Sequence, residues 1–283
     1  MARACIALLL TLTLPAHALT FQTRMEEVEW SVEGDKFECR LTQPVSGYGD
    51  AVFVRRAGER PVFELKAWNN LMQPGQAQLY NDAPMWQPQA RARLLGFTDV
   101  SEDRIAVRVA QQQAGQMLAG LADGLHPTIQ RTAWANAVEP VRVVVSSIGY
   151  QKAWGEFQKC NAGLLAMNFE QVSRSVVSFA DGGSTLSASA KQLLDIALEY
   201  IQADKEISGI VLEGHSDNVG NRLDNRELAR QRALAVRDYL MQSGVEEERF
   251  TLRFHGDRYP VASNRSADGR AKNRRVTLKL DKS

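Results

Sequence analysis

Apolar runs long enough to cross a bilayer are missing from this 283-residue chain. A spanning helix needs about 20 consecutive apolar residues, and the longest stretch, from Cys5 to Leu14, falls well short of that. With Arg3 ahead of it and Ala16-His17-Ala18 behind, the stretch reads as a secretory signal (residues 1–18) cleaved after Ala18 rather than as an anchor. No cysteine stands at the cleavage point to carry a lipid, and residues 19–283 hold nothing resembling a lipidation site. The expected product is an exported periplasmic chain without a membrane span. An excess of either charge is missing too: 34 Lys and Arg against 33 Asp and Glu leave a formal charge of +1. Such a chain has no general field to attract a polyanion, which excludes nucleic acid as a partner class. Cysteine is scarce. Once Cys5 leaves with the signal, Cys39 and Cys160 remain in an oxidising compartment, where they are expected to pair. A loop of that length stabilises by roughly 4–5 kcal/mol on the chain-entropy account; two separately buried thiols are the alternative.

The catalytic inventory is equally thin. There is no G-x-S-x-G elbow and no H-E-x-x-H zinc helix. The 4 histidines are scattered, one of them in the signal. His215 could be read as a base or a ligand, but it has no second ligand at helical or short-loop spacing. A non-enzymatic protein without metal or cofactor is therefore expected.

What is present is an ordinary globular composition, 44% apolar and 24% charged, long enough for two cores. From Phe21 to about Val145 the pattern is strand-like. It alternates at Trp30-Ser31-Val32-Glu33 and Phe37-Glu38-Cys39-Arg40-Leu41, and the runs Ala51 to Val54 and Pro61 to Ala67 flank a polar, Gly-bearing loop. Helices are expected from Gln111 to Leu125 and from Tyr150 to about Leu165. Near Asn168 the pattern changes to strands alternating with amphipathic helices: a strand at Ser175 to Phe179, a helix at Leu186 to Ile201, a strand at Ile207 to Leu212, a helix at Leu223 to Ser243, and strands at Phe250 to Phe254 and Val276 to Leu280. The expected fold class is α+β, a β-rich domain over 19–167 followed over 168–283 by an α/β sandwich of βαβαβ(α)β order, a mixed sheet with helices on one face.

The second half carries Glu213-Gly214-His215-Ser216-Asp217-Asn218-Val219-Gly220, followed by Leu223-Asp224-Asn225-Arg226-Glu227-Leu228-Ala229-Arg230-Gln231-Arg232-Ala233. These residues, continued by Gly256, Pro260, Asn264 and Gly269 to Val276, resemble the OmpA-like peptidoglycan-binding domain. Ser216 and Ala229 depart from the Thr and Ser usual there. Independently of the resemblance, Asp217 lies in a Gly-flanked turn at a strand end and Arg232 lies two turns into the next helix, at the border of the Ala229, Ala233, Val236, Leu240 stripe. An acid and an arginine so placed suit a zwitterion such as the diaminopimelate of a peptidoglycan stem peptide. Asp217 would take the ammonium, and Arg232 the carboxylate through its planar fork. The resemblance implies that Asn225, Ser216, His215 and Arg275 line the same pocket. The other reading is an Asp217–Arg232 salt bridge that merely orders the loop. Arg265, Arg270, Lys272, Arg274 and Arg275 form a basic cluster, read as a solvated rim with one motif Arg facing the pocket.

In the first half, Glu38 to Val45, Gly47 to Phe53, Phe63-Glu64-Leu65, Pro84 to Pro88 and the helix bearing Cys160 look like the N-terminal domain of the MotY family, components of the sodium-driven polar flagellar motor. That resemblance implies a periplasmic ring around the flagellar basal body, a MotX-like ring partner, and support of the stator complex against the wall. Trp30, Trp68, Trp86, Trp134 and Trp154 all fall in this half. They read as core aromatics, with an exposed one in a loop such as Pro84 to Pro88 as a candidate partner anchor.

Overall fold

A computed structural model describes residues 19–133 and 140–283; the signal and Trp134 lie outside them. The chain divides into two compact units. The first comprises the N-terminal half to Asn161, and the second runs from Ala162 to Ser283 and takes in two short pieces, Gly34–Glu38 and Arg56–Glu59.

The first unit is built on strands β1 (Leu19–Phe21), β2 (Ser31–Gly34), β3 (Glu38–Val45), β4 (Gly49–Arg56), β5 (Val62–Ala67), β6 (Gly75–Asp82), β7 (Arg93–Val100), β8 (Ile105–Val109), β9 (His126–Thr132) and β10 (Pro140–Val144), with helices α1 (Gln111–Ala122) and α2 (Tyr150–Ala162). All ten strands join one sheet in the order β1-β10-β9-β6-β7-β8-β5-β4-β3-β2. The alternation in β3 is a true two-sided pattern, with Cys39, Leu41, Gln43 and Val45 inward. The run in β4 is buried from Ala51 to Val54, as a strand covered on both faces must be. Gln43, a polar residue at the centre of this core, is satisfied at both ends by Ser146: its amide nitrogen donates to the Ser146 carbonyl at 2.8 Å, and its oxygen accepts from the Ser146 amide at 2.7 Å. The helix expected to reach Leu125 stops earlier because Gly124 turns left-handed at φ 80° and Leu125 N–H caps the Gly120 carbonyl at 2.8 Å. Cys39 of β3 and Cys160 of α2 form the expected disulfide, with Cα atoms 6.0 Å apart across 121 residues of chain.

The second unit contains α3 (Phe169–Val172), β11 (Arg174–Ser178), α4 (Ala188–Ala203), β12 (Ile207–His215), α5 (Arg222–Gln242), β13 (Phe250–Gly256), α6 (Ala267–Asn273) and β14 (Arg275–Lys282). Its sheet runs β11-β14-β12-β13. β12 is parallel to β13 and antiparallel to β14, which is antiparallel to β11, so the sheet is mixed as expected. Side chains alternate on it. Val177, Ile210, Leu212, Val276 and Leu278 pack under Leu194, Ala197, Ala233, Val236 and Leu240 of α4 and α5. The other face carries charge: Glu213 is bridged by Arg253 at 3.2 Å and Lys279 at 2.7 Å. Polar caps fix the helix starts: the Ser187 hydroxyl accepts from Ala190 N–H at 3.1 Å, and the Asn221 side chain accepts from Leu223 and Asp224 N–H, both at 3.0 Å. No helix among the described residues is long and apolar enough to cross a membrane.

Candidate functional site

β12 ends at His215, and the turn that follows delivers Asp217 beside the start of β14. Two local features make the geometry. A Cβ on Gly214 would run into the Ala229 carbonyl, so only glycine lets α5 press this closely on β12. The Asp217 carboxylate then accepts from its own turn, from Val219 N–H at 3.1 Å, which holds the side chain still. With α5 so close, Arg232 reaches across the strand end. Its guanidinium donates to the carbonyls of Gly183 (2.8 Å), His215 (3.0 Å) and Ala180 (3.3 Å), and lies 5.5 Å from the centre of the Phe179 ring. Arg232 is the largest fully buried side chain of the described residues.

Three of its five N–H groups are thus committed to backbone oxygens. The direct ion pair of Asp217 is with Arg274, at 2.9 Å, and both side chains are largely buried. Arg274 also donates to the Phe179 carbonyl at 3.4 Å and stands 3.7 Å from Asp181. The Asp217–Arg232 salt bridge weighed from sequence is therefore replaced by a three-membered arrangement of one carboxylate and two guanidinium groups. Burial, partly offset by the nearby Asp217 charge, pulls the Arg232 pKa down to about 10, so it stays charged at neutral pH.

The remaining residues anticipated from sequence are distributed around this cluster. Ser216 is buried and donates to the Asp217 carbonyl at 2.8 Å, closing the turn rather than presenting its hydroxyl. Asn225 is buried on the first turns of α5, and its amide nitrogen has no hydrogen-bond partner. Arg274 caps the C-terminal end of α6, its N–H donating to the Arg270 carbonyl, and Arg275 opens β14. Arg275 donates to the carbonyls of Tyr259 (3.1 Å) and Asn273 (3.4 Å) on the side where His215 lies. Burial above all, and then the Arg275 charge, push the His215 pKa down to about 4, so its imidazole is neutral. Of the basic cluster, Lys272 and Arg265 are solvated, whereas Arg274 and Arg275 are built into the fold. Arg274 is the functional candidate that sequence reasoning left in the rim. It differs from Arg275 in standing at the end of α6, before β14 begins, and the sequence carries no local signal that pairs it with Asp217. Asn273 is a second such residue: fully buried, it accepts from Val261 and Ala262 N–H and donates to the Ala262 carbonyl and Asn264, ordering the loop between β13 and α6.

Residues 21–166 match the MotY N-terminal domain family, more than half of the chain. The chain belongs to the MotY family. Residues 178–274 match the OmpA family, so the cluster around Asp217 lies in the OmpA part of a MotY-type chain. Similarity to the sodium-type flagellar protein MotY of Vibrio parahaemolyticus runs at 27% identity over 259 residues, 90% of this chain and 88% of that one. The OmpA part alone is 35% identical over 97 residues to the outer membrane protein A of Bordetella avium, 34% of this chain and 50% of that one. It is 36% identical over 101 residues to the peptidoglycan-associated lipoprotein of Pseudomonas aeruginosa, 36% of this chain and 59% of that one. The MotY-type first unit carries the aromatic residues in question. Trp68 and Trp86 are its exposed tryptophans among the described residues, and Met85 beside Trp86 is 96% exposed.

Proposed function

We propose that this MotY-family chain is a non-enzymatic periplasmic component of the flagellar motor, part of a ring at the basal body, that grips peptidoglycan through its second unit and braces stator units against the wall. The observation that carries the wall-binding half is the buried Asp217 carboxylate held between a turn amide and Arg274, with the Arg232 fork alongside. A diaminopimelate end offers an ammonium and a carboxylate at fixed separation. Asp217 takes the ammonium, exchanging Arg274 for it, and the carboxylate competes with the Ala180 and Gly183 carbonyls for the Arg232 guanidinium. A charge-assisted bond to a carboxylate is stronger than one to a neutral carbonyl, so the exchange is favourable at the arginine. Asn225, with a free amide donor, and His215 stand by as further contacts.

The motor half rests on similarity over nearly the whole length to a flagellar protein. A stator that pushes on a rotor needs a stiff brace, and the peptidoglycan mesh is the stiff object of the periplasm. The first unit would meet the basal body and a MotX-like ring protein, with exposed Trp68 and Trp86 as candidate anchors. A second reading, a general envelope tether, is favoured by the match of the OmpA part to an outer membrane protein A and a peptidoglycan-associated lipoprotein. Deletion of the gene separates the two. Loss of swimming with an intact envelope, restored by the wild-type chain but not by Asp217→Ala, is the expected result. Normal swimming with detergent sensitivity supports the tether instead.

A further inference from the structure

Glu213 and His215 are two residues apart on β12 and project from the same face of the strand. The neighbouring parallel strand β13 brings a second imidazole to them. Its register steps from Gly214 opposite Phe254 to His215 opposite Gly256, so His255 is the extra residue of a bulge, a feature that re-aims side chains. The His215 and His255 rings lie 5.0 Å apart at 30°, and a donor atom from each of Glu213, His215 and His255 lies within 4.8 Å of the other two. We propose that Glu213, His215 and His255 bind one transition-metal dication of the zinc class through two imidazole nitrogens and a carboxylate.

A second observation points the same way. His215 is only 4% exposed, yet its Nδ1 has no hydrogen-bond partner. A buried ring nitrogen without a partner is rare in a folded protein and calls for something to bind it. The donor set selects the metal. Two imidazoles and one carboxylate with positions left open suit zinc, whereas calcium and magnesium require oxygen donors. At bond lengths of about 2.0–2.2 Å, tetrahedral ligands stand roughly 3.4 Å apart, so side-chain rotation closes the cluster without moving the strands.

Cations oppose the site and set its strength. Arg253 and Lys279 now hold Glu213, while Arg275 and Arg258 add positive charge near His215 and His255. The metal displaces Lys279, whose side chain is 46% exposed and free to swing into water. The site adjoins the wall-binding cluster at His215, whose backbone carbonyl accepts from Arg232 while its ring stacks on His255. Calorimetric titration of zinc sulfate into the tag-free full-length protein at neutral pH tests it. One saturable site per chain is expected, weakened at least tenfold by His255→Gln and tightened by Lys279→Met, with unchanged circular dichroism. Glu213→Gln gives the same loss should His255→Gln fold poorly. Absence of saturable binding, or binding that both ligand variants leave unchanged, overturns the proposal.

Discussion

Removing the Asp217 side chain and removing the Arg232 side chain have different consequences, although the two residues share one site. Asp217 sits in a turn and its loss releases Arg274, which has Asp181 and a carbonyl to fall back on. Asp217→Ala is therefore expected to keep the fold. Arg232→Ala removes three hydrogen bonds, one of them to the carbonyl of buried His215, and empties the space of a fully buried side chain, so its thermal melt should fall sharply and any loss of wall binding will include unfolding. The same reasoning applies to His215. Its pKa is 6.5 in an unfolded chain and about 4 here, so acid protonates the unfolded state first. Stability that is complete above pH 6.5 is lost as the pH falls towards about 4, by an amount on the order of 2–3 kcal/mol. Urea denaturation at a series of pH values checks this, and His215→Gln should flatten the profile. At this scale the turn acid and the helical arginine were legible because motif spacing is local. The Arg274 partnership and the His255 neighbour were not, since each depends on which strands lie side by side.

Elements were legible where hydrophobic period and caps agreed. The α4 and α5 stripes and the β12 run stand out in the sequence because each buries one continuous face. Helix ends were less so. The first-unit helix expected to reach Leu125 is cut short by the left-handed Gly124, a stop signal inside the apolar pattern. Gly214→Ala drives a methyl group into the Ala229 carbonyl and should cost about 1–3 kcal/mol by chemical denaturation. Reduction of Cys39–Cys160, or the Cys39→Ser and Cys160→Ser pair, should destabilise the first unit by roughly 4–5 kcal/mol on the chain-entropy account, read by denaturation with and without reductant.

For the whole molecule, the pattern of the sequence changes near Asn168, and the second compact unit takes up the chain at Ala162. Its two short contributions, Gly34–Glu38 and Arg56–Glu59, come from far earlier in the chain. Within that unit Phe37 packs edge-on against Tyr200, with ring centres 5.5 Å apart. No local pattern could reveal such a pairing, because residues 37 and 200 meet only through the tertiary fold. On the proposed function the labour divides between the two units: the OmpA part, with its charged cluster, would grip the wall, and the MotY part would set where the chain works. The claim at the centre is that Asp217 is spent on a ligand and not on the fold. Co-sedimentation of the full-length protein with purified sacculi tests it most directly. Wild type should pellet with the wall and be released by excess diaminopimelate, while Asp217→Ala, with unaltered circular dichroism and melting, should stay in the supernatant. An Asp217→Ala protein that pellets as the wild type does would contradict the account.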